Sequence, residues 1–113
     1  MGVLRVKSGV QFAVIAPGGF RILRALDLAA ASLPHDLVIS SGTDGCHSGE
    51  LDPHHRGEAY DVRSHDLEYE QKPVVLRLIM AGLGGENFFG FLEAPDTDNE
   101  HFHLQVRKGT VFP

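Results

Sequence analysis

At 113 residues the chain has the length of about one domain, at ~100–200 residues per domain, and 42% hydrophobic residues supply one compact core, which argues against both a multidomain and a disordered reading. The net charge of −5, with Arg107-Lys108 as the one adjacent basic pair, argues against nucleic acid as a partner. A single cysteine, Cys46, permits no internal disulfide, so the core or a bound metal has to stabilise the fold.

The chain order predicts short strands over 3–6 and 10–15, the second with Val10, Phe12 and Val14 on one face, and then a break at Pro17-Gly18-Gly19. Phe20, Leu23, Leu26, Ala30 and Leu33 recur at helical spacing, and Pro34 stops that helix. Leu37-Val38-Ile39 reads as a buried strand before the turn Ser40-Ser41-Gly42-Thr43. Asp44 to Arg56 is polar and aperiodic, a long loop of the kind usually retained for function. Ala59 to Arg63 alternates as a strand. Leu76, Ile79, Met80 and Leu83 define a second helix starting between Leu67 and Lys72, with Pro73 in its first turn and Gly84-Gly85 closing it. Phe88–Glu93 and His101–Arg107 then form a hairpin around the turn-rich Pro95–Asn99. Without regular βαβ alternation, this order predicts a single α+β domain over 1–113, with a mostly antiparallel sheet and helices packed on one face.

Seven histidines stand out, and their clustering directs the search for function. His54 and Asp61 frame the pattern His-x-x-Gly-x-Ala-x-Asp, in which Gly57 is expected to let the backbone pass close beneath a bound ion. Further on comes Glu100-His101-Phe102-His103. On a strand, His101, His103 and Gln105 share one face while Phe102, Leu104 and Val106 share the core face. Two imidazoles and a carboxylate, His54, Asp61 and His103, are the set expected of catalytic zinc, with the fourth position left for water. Glu100 is the expected acceptor of the water proton. Strict alternation puts it on the Phe102 face, so that role requires it to lie at the bend entering the strand.

His54-x-x-Gly57-x-Ala59-x-Asp61 followed by Glu100-x-x-His103 resembles the zinc D-alanyl-D-alanine carboxypeptidases and dipeptidases, a family that includes phage endolysins cutting between L-alanine and D-glutamate and shares its folding core with the hedgehog signalling domain. The likeness runs from about Phe20 to Val106. It implies a hedgehog-type fold, zinc on His54, Asp61 and His103, Glu100 as general base, and His101 as a neighbour that stabilises the oxyanion. It also implies a metallopeptidase acting on a peptidoglycan stem peptide, of phage or prophage lytic type. Two departures touch the oxyanion stabiliser and the first ligand: Asp44 stands where the family often has an arginine, and Asp52 where it often has a serine. His47 and Arg56 are the candidates to replace the arginine.

No apolar run approaches the ~20 residues needed to cross a bilayer, and Met1–Arg5 lacks a signal-peptide core. The protein is therefore expected to be cytoplasmic on synthesis, without a membrane partner, and to reach the cell wall during lysis. The competing reading is a non-catalytic metal-binding or interaction module on the same scaffold, which the Asp44 departure favours. A third, an iron(II) facial triad, needs more strands than the sequence offers after His103. His35, His55, His65, Asp66 and Cys46 read as loop or turn residues, and Phe88, Phe89 and Phe91 as hairpin core with one ring able to border a groove.

Overall fold

The computed structural model describes residues 1–45 and 51–112, so Cys46 and His47 lie outside the described residues. Strands β1 (Leu4–Val6), β2 (Leu37–Ser41), β3 (Ala59–Arg63), β4 (Phe88–Glu93) and β5 (His101–Val106) form one sheet in the order β1-β2-β3-β5-β4. β1 and β2 run parallel and the remaining pairs antiparallel. With helices α1 (Pro17–Ala31) and α2 (Gln71–Leu83), this is an α+β domain with a mixed, mainly antiparallel sheet.

Alternation on β3 and β5 divides the sheet into two faces. Tyr60, Val62, Phe102, Leu104 and Val106 pack against Ile22, Leu26, Val75 and Ile79 of the helices. Each such side chain stabilises the fold by roughly 1.5–3 kcal/mol relative to exposure. The intervening residues, Asp61 and Arg63 on β3 and His101, His103 and Gln105 on β5, point to the opposite face.

Two expectations change. Residues 10–15 are not a strand, because their backbone is tied to side chains instead of a neighbouring strand: Gln11 N–H donates to Asp44 Oδ1 at 2.9 Å and Ala13 N–H to Thr43 Oγ1 at 3.1 Å. Val10 and Phe12 still pack on the core from this tethered segment. The helix expected to follow Gly19 begins at Pro17, which occupies the first turn where its missing N–H costs nothing. Its Gly19 has no room for a side chain, since a Cβ there would stand 2.1 Å from the Gly57 carbonyl oxygen.

Gly57 is needed by the backbone, since a Cβ there would stand 2.1 Å from the Val14 carbonyl oxygen. Gly57 N–H bonds to His54 O and Glu58 N–H to Pro53 O, while Gly57 takes φ +69°, a Schellman closure of the turn that carries His54. The closure leads directly into β3, so the His-x-x-Gly spacing sets where His54 stands relative to Asp61. At the second helix, Gly84 N–H bonds to Met80 O and ends α2 where Gly84-Gly85 was expected to.

Candidate metal centre

Register places the site. On β3 and β5 Asp61 lies opposite His103 and Arg63 opposite His101, while on the far side of β5 Glu93 of β4 lies opposite His101 and Phe91 opposite His103. Asp61, Arg63, Glu93, His101 and His103 open onto a cleft of about 610 Å³ that Ser41, Gly45 and His54 also line.

Three imidazole nitrogens surround one carboxylate oxygen. Asp61 Oδ1 is 3.0 Å from His103 Nδ1, 3.3 Å from His54 Nε2 and 3.6 Å from His101 Nε2. Two ligand atoms on a tetrahedral ion with bonds of ~2.0–2.1 Å stand about 3.3 Å apart, so the spacing is that of atoms ready to share a metal. Asp61, Glu93, His101 and His103 each offer a ligand atom, all within 4.8 Å of one another, and this group could hold a metal ion. Of the three expected ligands, Asp61 and His103 belong to this group together with His101 and Glu93; His54 is not among its four residues and meets the cluster through Asp61 Oδ1.

The second nitrogen of each ring fixes which one is free. His54 Nδ1–H donates to Gly42 O at 2.9 Å, His101 Nδ1–H to Asn99 O at 2.6 Å, and His103 Nε2–H to Gln105 Oε1 at 2.8 Å. His54 and His103 then turn the remaining nitrogen toward Asp61 Oδ1, and His101 turns Nε2 toward Glu93 Oε1 at 2.9 Å with Asp61 Oδ1 beyond at 3.6 Å; at each contact lone pair meets lone pair unless a proton or a cation lies between. Burial alone would raise Asp61 and lower His54 and His103, but the hydrogen bonds among them outweigh it: Asp61 lies well below the usual carboxylate range, and both imidazoles lie above their ordinary value.

Asp44 is the anchor behind His54. Its Oδ1 also accepts Gly42 N–H at 2.9 Å, and burial notwithstanding, the backbone donors hold its pKa low. Gly42, held in this way through its N–H, also supplies the carbonyl that orients His54. Asp52 caps the same turn by accepting His54 N–H at 2.8 Å. Gly45 leaves space for the ring, since a Cβ there would be 2.0 Å from Ser41 Oγ and 3.1 Å from His54 Nδ1.

Glu100 is not brought to this cluster. Its side chain follows the alternation onto the helix face, 4% exposed, where both oxygens accept from Lys72 Nζ at 2.9 and 2.7 Å, Oε2 from Ser64 Oγ at 2.8 Å and Oε1 from Asp96 N–H at 3.1 Å. Lys72 above all holds its pKa down to about 2. The bend that was to swing it toward the metal instead locks the hairpin turn to α2. Glu93 is the residue sequence reasoning missed: its Oε1 is 2.9 Å from His101 Nε2 and its side chain is 47% exposed. A hairpin centred on Thr97 would have set it opposite His101. Phe88 is core, whereas Phe89 and Phe91 stack on the cleft face, with Phe91 5.4 Å from the His103 ring. Arg56 pairs with Glu58 at 3.0 Å, and His35, His55 and His65 are outside the cluster.

No helix among the described residues is long and apolar enough to cross a membrane. No protein family, characterised protein or solved structure matches the sequence or its fold.

Proposed function

We propose that the protein is a zinc metallopeptidase that hydrolyses a peptide bond beside a D-amino acid in bacterial peptidoglycan stem peptides, of phage or prophage lytic type. The observation that carries the reading is the convergence of His54 Nε2 and His103 Nδ1 on Asp61 Oδ1 in an open cleft. The likeness of His54-x-x-Gly57-x-Ala59-x-Asp61 and Glu100-x-x-His103 to the D-alanyl-D-alanine peptidases supplies the substrate class and the expectation of a hedgehog-type fold.

In this reading His54, Asp61 and His103 hold the ion, and nitrogen and oxygen donors of this kind suit zinc. Bound zinc supplies a Lewis acid for the carbonyl and acidifies a water toward pKa ~7. Glu93 accepts the water proton, being the exposed carboxylate of the cluster, and His101, oriented by Asn99 O, holds or passes a proton at Nε2. Glu100 acts as a positioning residue through Lys72 and not as the base. Phe91 shields one side of His103 from water.

The test is mass spectrometry of purified peptidoglycan and defined stem peptides incubated with zinc-loaded protein, with a chelator control. New fragments are expected from wild type, and roughly 10²–10⁴-fold slower release from a Glu93→Gln protein that keeps its zinc. Absence of fragments from zinc-replete protein across several wall types would overturn the peptidase. One observation favours a second reading, a non-catalytic metal-binding module: Asp44 is committed to backbone N–H groups where the resembled family carries an arginine. That module predicts bound zinc with no turnover and no effect of Glu93→Gln.

A further inference from the structure

Two cations line the cleft without a partner among the described residues, while three acids of the same lining are engaged elsewhere. Asp44 accepts Gln11 and Gly42 N–H, Asp52 accepts His54 N–H, and Glu100 is held by Lys72. Half-buried Arg63 and exposed Lys7 line the same cleft, yet among the described residues neither has an ion pair or a side-chain hydrogen bond. Both also line an adjoining depression of about 570 Å³, so they stand where the two hollows meet. Arg63 shares the face of Asp61, two residues along β3, and lies opposite His101.

We propose that Arg63 and Lys7 form a carboxylate-binding subsite that selects substrates bearing a free carboxylate close to the bond at the metal. The proposal rests on the hydrolase reading for its peptide substrate and extends it to the group recognised. A guanidinium pairs with a carboxylate through two parallel N–H···O bonds, and a lysine adds a point charge. Two residues along a strand span about 6.6 Å, and one residue of extended peptide spans ~3.3–3.6 Å, so the anion falls within one or two residues of the reacting carbonyl. The terminal α-carboxylate of a peptide and an acidic side group both present this chemistry.

The test is calorimetry on zinc-loaded protein with N-acetyl-D-alanine, N-acetyl-D-alaninamide and N-acetyl-D-glutamic acid α-amide. Wild type is expected to bind at least one acid and to bind the alaninamide at least about 10-fold more weakly than the preferred acid. The preferred acid identifies the carboxylate as terminal or side-group. Arg63→Gln and Lys7→Gln should each weaken acid binding at least about 10-fold while zinc content and melting temperature hold; exposed Lys7 gives the second variant should Arg63→Gln fail to fold. Equal affinity in both variants, the result expected of a carboxylate held by zinc alone, overturns the subsite, as does failure of wild type to bind either acid. Acid binding lost in the variants of a protein that hydrolyses no peptide supports the subsite and overturns the hydrolase reading.

Discussion

Two buried carboxylates on opposite faces of the sheet, Asp61 and Glu100, are both held ionised, but by different counter-charges. Glu100 is met by the Lys72 ammonium, with Ser64 and Asp96 N–H completing its shell. Asp61 is met by three imidazoles, each able to exchange a proton for a metal ion. A depressed pKa alone therefore does not distinguish a ligand site from a structural ion pair; the chemistry of the partner does. Lys72 and Glu100 fasten α2 to the entrance of β5, whereas the group around Asp61 could hold a cation.

The comparison breaks most visibly at Lys72. Lys72→Met leaves Glu100 buried without its counter-charge and is expected to destabilise the fold by roughly 3–5 kcal/mol in denaturant titrations, while the folded variant keeps wild-type zinc stoichiometry. Next comes removal of the ion. Chelation of protein held in zinc at 100 times its Kd should cost about 2.7 kcal/mol of stability, read as a fall in Tm; Lys72→Met should show the same fall and Asp61→Asn none. Smaller is the loss of the ring support at Gln105, where Gln105→Leu is expected to weaken zinc binding roughly 10–100-fold with the metal-free Tm unchanged. Smallest is the acid response of the metal-free protein. Because Glu100 is depressed from 4.5 to about 2 on folding, its stabilisation is fully present above pH 4.5 and lost as pH falls toward 2. Removal of Lys72 should shift the acid unfolding midpoint upward, measured by circular dichroism.

Much of the fold was legible because half-buried strands alternate: β3, β4 and β5 appear where Ala59–Arg63, Phe88–Glu93 and His101–Arg107 predict them, within a residue. The same alternation misleads at Val10, Phe12 and Val14, because periodicity reports which side chains are buried and not which groups bond the backbone. Here Asp44 and Thr43 do so. The convergence of His54, Asp61 and His103 could be anticipated from spacing, since the Schellman turn at Gly57 is local and the strand that follows is regular. Glu93 could not be found from its neighbours alone; it joins the cluster through cross-strand register. Glu100 was assigned against its own alternation, and its true partner, Lys72, lies 28 residues away on a helix whose start the sequence left open.

The position of β5 also sets the order in which the molecule assembles. It follows β3 and β4 in sequence but sits between them in the sheet. The β4–β5 hairpin is local and can form within microseconds, whereas its docking on β3 joins residues 42 apart, as in Asp61 and His103, and must first meet the loop-closure entropy. Glu93, His101 and His103 lie on the hairpin itself, and Asp61 joins them only on docking, so the full candidate group is assembled only in the docked state. A cation present during refolding should accelerate the approach to the native state only if docking is complete in the rate-limiting transition state, and should otherwise act by slowing unfolding alone.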